Sequence, residues 1–126
     1  MGVKNMDVKQ HIFKKRTDIL KGIEKLLRNN DYKEIIFLSA IGALEEVELW
    51  VANNFAENPD INKVNYRGPF ELLSISGNAK IEDDRFHSHV HVSGSLSDCS
   101  VKGGSLHKGK IFRGTKGAVI TYLVLN

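Results

Sequence analysis

Apolar and polar residues alternate along most of this chain, and helical spacing appears once. Met6, Val8, Gln10 and Ile12 form a loose alternation that predicts a first strand over residues 6–13. Lys14-Lys15-Arg16 interrupts it. Ile19, Leu20, Ile23, Leu26 and Leu27 then recur at helical spacing, with Lys21, Glu24, Lys25 and Arg28 turned away from them. Thr17 or Asp18 supplies an N-cap, because either side chain can accept from an orphan backbone N–H one turn on. Asn29-Asn30-Asp31 ends the helix, whose single apolar stripe requires a flat partner.

That partner begins at once. Residues 34–40 are an almost unbroken apolar run, as in a strand buried on both faces. Ile41-Gly42-Ala43 predicts a bend. Residues 45–51 alternate, with Val47, Leu49 and Val51 on one side and Glu46, Glu48 and Trp50 on the other. Asn, Pro59 and Asp60 mark residues 53–63 as a loop. Residues 66–70 lead into a strand over 71–77, closed by Gly77-Asn78, and Glu82-Asp83-Asp84-Arg85 makes a charged turn. A histidine-bearing strand follows, then a turn-rich stretch over 93–100, a bulge or turn at Gly103-Gly104, a short strand starting at Ile111, and a last strand over 118–125. These connections are too short for helical crossovers, so the strands pair antiparallel. The expected fold is a single α+β domain over residues 1–126, a largely antiparallel β-sheet covered by an N-terminal helix.

Net charge is only +3, but its distribution is uneven: +5 over residues 1–28, −7 over 29–100 and +5 over 101–126. If the two ends meet in space they form a basic face. No apolar run approaches the roughly 20 residues of a membrane span. The N-terminal Met-Gly-Val-Lys-Asn-Met-Asp has no apolar signal core, and the single Cys99 cannot form an internal disulfide. Together these imply a cytoplasmic protein with no membrane partner.

The chemistry concentrates in residues 86–109, which hold four of the five histidines. His87, His89 and His91 stand at every second position and so share one strand face. His89 and His91 can grip one ion together, and zinc or another divalent metal is the natural candidate. His107 is the natural third ligand and His87 the next. The plain alternative is a solvated strand face. Glu71, within an apolar strand, is the one carboxylate for which burial would demand a partner. Cys99 lies in a Ser/Asp turn with no trapped base, which reads as a passive thiol. Gly103-Gly104 lacks the companions of a phosphate-binding loop. No zinc-finger spacing or RNA-binding aromatic pattern occurs, and no catalytic set stands out.

Three stretches resemble the plants-and-prokaryotes-conserved (PPC) domain. They are Ser39-Ala-Ile-Gly-Ala-Leu-Glu-Glu-Val47, Gly68-Pro-Phe-Glu-Leu-Leu-Ser-Ile-Ser-Gly77, and His89-Val-His-Val-Ser-Gly-Ser-Leu-Ser-Asp98 with Gly103-Gly-Ser-Leu-His-Lys-Gly109. The resemblance implies a compact α/β domain with an antiparallel sheet, assembled as a homotrimer, and on it rests the expectation of a non-enzymatic protein associated with DNA or with DNA-binding proteins. It places Gly68, Phe70, Leu72, Leu73, Gly103 and Gly104 in core and assembly, and His87, His89, His91, Ser105, His107 and Glu71 around a pocket between subunits. The alternative it implies is a metal- or small-ligand-binding protein, extending to a metal-dependent enzyme, that uses this pocket. Two positions depart from the family pattern. Ser105 stands where many prokaryotic members carry a third histidine, and Pro69 where plant members usually carry arginine. The chain has no AT-hook.

Overall fold

The computed structural model describes residues 6–114 and 116–126. Among them the chain runs β1 (Met6–Phe13), α1 (Ile19–Asn30), β2 (Glu34–Ile41), β3 (Ala43–Ala52), β4 (Ile61–Glu82), β5 (Arg85–Ser95), β6 (Val101–Ile111) and β7 (Ala118–Leu125). The strands form one antiparallel sheet in the order β1-β7-β2-β4-β3-β6-β5, with a further pairing of β4 to β5. The 22-residue β4 makes this possible. Its first half pairs with β3, its second half with β5, and its far end also with β2. Strands β3 to β6 therefore close on themselves, and β2, β7 and β1 extend from them as an open limb.

The helix forms as its sequence dictates. Asp18 caps it by accepting from the Lys21 amide at 3.0 Å, and Asp31, in the left-handed region at φ 56°, terminates it. Ile19, Ile23, Leu26 and Leu27 are buried against Phe13, Ile35, Ile120 and Val124 in one continuous core. Glu24 and Arg28 pair at 2.9 Å on the solvent side.

The expectation of an α+β domain with a helix covering its sheet is overturned. Strands take 66% of the described residues and helix 10%, so the fold is β-rich. The reason is one of size. Twelve helical residues span only about 18 Å, which cannot cover seven strands.

Other expectations also need correction. β4 runs straight through Gly77-Asn78, because Gly68 (φ 95°) and Gly77 (φ 108°) bend the strand without ending it. The predicted loop over 53–63 yields to β4 at Ile61, and β5 continues to Ser95 within the expected turn region. Gly103-Gly104 lies inside β6, and Ile111 ends that strand instead of starting one. β2 is not buried on both faces: Ile35, Phe37 and Ala40 point inward while Leu38 and Ile41 are exposed. Glu71 is exposed on β4 and needs no buried partner. Residues 1–5, on which the missing signal core was partly read, lie outside the described residues. Among the described residues no helix is long and apolar enough to cross a membrane.

Candidate functional site

A two-residue turn fixes the histidine strand. Asp83 and Asp84 both adopt positive φ (52° and 61°), the conformation of the tight hairpin turns whose twist matches the flanking strands. Glu82 then faces Arg85, and the register follows: His87 opposite Lys80, His89 opposite Asn78, His91 opposite Ser76. Gly77 keeps the two strands close at this point, since a Cβ there would run into the His89 carbonyl. All three imidazoles are exposed on the outer face, and Val90 and Val92 are buried on the inner one. The His89 and His91 rings meet edge to face, 5.0 Å between centroids.

The register continues across the sheet. His91 faces Ser105 on β6, Ser105 faces Trp50 on β3, and Trp50 faces Lys63 on β4. One lateral row thus carries imidazole, hydroxyl, indole and ammonium. His107 lies flat on Trp50, ring centroids 3.6 Å apart and planes within 13°. The Lys63 ammonium stands 4.3 Å from the Trp50 ring centroid. The indole N–H donates to a Glu48 carboxylate oxygen at 2.6 Å, which fixes the ring. Burial lowers the His107 pKa below its ordinary value; the Glu48 charge opposes this and the Lys63 charge adds to it.

Trp50 and its neighbours in this row line a cleft of about 420 Å³, with Glu48 and Lys63 outside its walls. His89, His91, Ser105 and His107 line one part of it, and Val51 and Ile61 line another. The cleft therefore gathers four of the six expected pocket residues. His87 lies further along β5, and Glu71 is not among the walls. Of the expected core and assembly residues, Phe70 and Leu72 are buried. Leu73 sits 56% exposed where the β4–β5 register shifts, and Gly68 has open space around it. Gly104 serves a close approach, because a Cβ there would stand 2.9 Å from Val51 Cγ2.

The donor set does not fit a closed metal site within one chain. Among the described residues no three His, Cys, Asp or Glu side chains converge on one point. His107 is held by its stack on Trp50, and Ser105 offers only a neutral hydroxyl. Trp50 and Ile61 were not foreseen as walls. An aromatic on the Glu46/Glu48 side of β3 was the available signal for the first.

A second feature comes from the charge pattern. The 14–18 turn lies against the end of β6. The Arg16 amide donates to the Ile111 carbonyl at 2.7 Å, the Ile111 amide donates to the Thr17 carbonyl at 2.8 Å, and Asp18 bridges to Lys110. The two basic segments of the sequence therefore meet. Among the described residues Lys14, Lys15, Arg16 and Lys110 make no ion pair.

Comparison with known proteins follows this geometry. The family model of the Plants and Prokaryotes Conserved (PCC) domain matches residues 3–123. No curated protein matches the chain significantly. Among solved structures, a plant- and prokaryote-conserved protein from Pyrococcus horikoshii superposes with a TM-score of 0.79 at 22% identity, over 99% of this chain and 81% of that one. A metal-containing protein from Archaeoglobus fulgidus gives 0.76 at 24% identity, over 99% and 82%. A protein described as a DNA-binding candidate from Bacteroides thetaiotaomicron gives 0.74 at 19% identity, over 100% and 81%.

Proposed function

Because the chain belongs to the Plants and Prokaryotes Conserved domain family, we propose that it is a non-enzymatic, homotrimeric assembly domain that associates with DNA or with a DNA-bound protein. The observation that carries this reading is the outer face of the open limb, which nothing covers among the described residues. Register sets three rows across β1, β7 and β2: Ile12–Val119–Ile41, Gln10–Thr121–Ser39, and Val8–Leu123–Ile36. The outer rows are wholly apolar, with Val8 63%, Ile12 65% and Ile41 72% exposed. In the middle row Gln10 donates to Thr121 at 3.2 Å. An apolar sheet face of this extent is stable in water when another surface closes over it. A cyclic arrangement of identical chains does so without growing into fibres.

The junction of residues 14–16 with Lys110 supplies the contact with DNA. A few phosphate contacts per chain bind weakly, and three junctions on one assembly multiply them through effective concentration. Each neutralised phosphate steepens the salt dependence by about 0.9 in log–log slope. Fluorescence anisotropy with a mixed-sequence duplex tests this. Binding is expected at about 50 mM salt, to weaken steeply on salt addition, and to lose about 2–3 units of slope per engaged junction in the Lys15→Gln/Arg16→Gln/Lys110→Gln variant. Absence of binding at low salt, or an unchanged slope, would contradict the DNA half of the proposal.

A second reading is favoured by the convergence of His89, His91, Ser105 and His107 on one cleft. In it the cleft lies between subunits and takes a small ligand or a divalent metal such as zinc. His89 and His91 would hold the ion, and the further ligand comes from His107 or from a neighbouring chain. This reading predicts about one metal per chain by elemental analysis after zinc loading, abolished in His89→Ala/His91→Ala. Metal-free protein after zinc loading removes the metal form of it.

A further inference from the structure

A second cavity, of about 310 Å³, opens between β1 and α1, away from the histidine row. Its floor includes Phe13 and Leu26. Gly22 lets the Phe13 ring press against the helix, since a Cβ at that position would stand 2.8 Å from two ring carbons. The polar lining is His11, Lys14, Thr17, Lys25, Asn29 and Asn30, with no carboxylate. Neither lysine makes an ion pair among the described residues. The His11 ring meets Phe13 edge to face at 4.7 Å between centroids, and its nitrogens have no hydrogen-bond partner among the described residues. Asn30 is fixed by donating to the Leu26 carbonyl at 2.9 Å, and its second amide N–H makes no hydrogen bond among the described residues. The cavity thus combines an apolar floor with two unpaired ammonium groups, an unengaged imidazole and two amides.

We propose that this cleft binds a small phosphomonoester of nucleotide size, with the phosphate against Lys14, Lys25 and His11 and the apolar or aromatic body on Phe13 and Leu26. Charge decides in favour of phosphate. A phosphomonoester is largely dianionic at pH 7, its second pKa lying near 6, and so matches two ammonium groups, whereas a single carboxylate leaves one unmatched. Size agrees, because the volume sits at the lower end of the roughly 300–1,000 Å³ of small-molecule sites. Burial holds the His11 pKa below its ordinary value, and an anion bound beside the ring raises it by favouring the protonated form.

The test is NMR titration of the full-length protein with adenosine 5′-monophosphate, adenosine and inorganic phosphate, following the His11 ring protons and the backbone amides. The nucleotide should bind at least tenfold more tightly than either fragment, perturb residues of the β1–α1 cleft, and raise the apparent His11 pKa. Lys25→Gln, an exposed helix position where the two residues have similar helix propensity, should weaken the nucleotide at least tenfold. Lys15→Gln, which touches the proposed DNA junction but not the cleft, should leave it unchanged. That contrast separates failure of this proposal from failure of the DNA reading. Adenosine binding as tightly as the nucleotide, perturbations confined to Lys15, Arg16 and Lys110, indifference to Lys25→Gln, or no binding at millimolar nucleotide would each overturn it.

Discussion

Glu45 is the one charged side chain among the described residues that is buried. One of its carboxylate oxygens accepts from the Arg113 backbone N–H at 3.1 Å, the other from Arg113 Nε at 3.0 Å and Nη2 at 2.8 Å. This fork ties the segment after β6 to β3, beside the edge where the basic segments meet. The Arg113 guanidinium holds the Glu45 carboxyl below its ordinary value of 4.5. The sign follows: a depressed folded pKa gives stability that is fully present above the unfolded value and lost as pH falls through the folded one. Urea denaturation should therefore show wild type more stable than Glu45→Gln near pH 7, with the difference shrinking below about pH 4.5. A difference independent of pH would show that the carboxylate charge is not what binds Arg113. In the sequence Glu45 opens the alternating stretch 45–51, and nothing local links it to a residue 68 positions away. His89 and His91 were legible because their chemistry and their two-residue spacing are both local. Trp50 as the bed for His107, by contrast, depends on how β3 and β6 align, and a register shift between Glu48 and Leu49 sets that alignment.

Elements follow the same rule. α1 was readable to within a residue, because cap, stripe and stop signal all lie within its own length. β7 was readable because residues 118–125 form a strand-length run of apolar and β-branched residues with no glycine or proline in it. β4 was not, since Gly68 and Gly77 carry the composition of strand ends while bending a strand that continues. β2 was misjudged in a more informative way. Its almost unbroken apolar run signals two apolar faces, but only one of them is covered among the described residues. The uncovered one joins Ile12 and Val8 of β1 and Val119 and Leu123 of β7. Each large aliphatic side chain buried in a subunit contact contributes about 1.5–3 kcal/mol when fully enclosed. Placing two carboxylates there should exceed the surplus left after the costs of association. Ile12→Glu/Ile41→Glu is expected to run as a folded, β-rich monomer by gel filtration and circular dichroism. Retention of the wild-type elution volume would show that this face is not the contact.

At the scale of the whole molecule, the sequence displays basic ends around an acidic middle without revealing whether the ends touch. They do touch, through the backbone hydrogen bonds of Arg16 and Thr17 with Ile111, and a pairing between residues about 95 positions apart has no local signature. The helix was expected to cover the sheet because sequence pattern reports that an apolar stripe exists and not how much area awaits it. Among the described residues, the closed circuit of β3 to β6, the open limb β1-β7-β2 and one short helix leave a broad apolar face outward, the proposed seat of self-association. Static light scattering on untagged protein, from low to high micromolar concentration, tests this most directly. A mass of three chains, stable across the range, is expected, and a monomer at every concentration would contradict the proposed trimer.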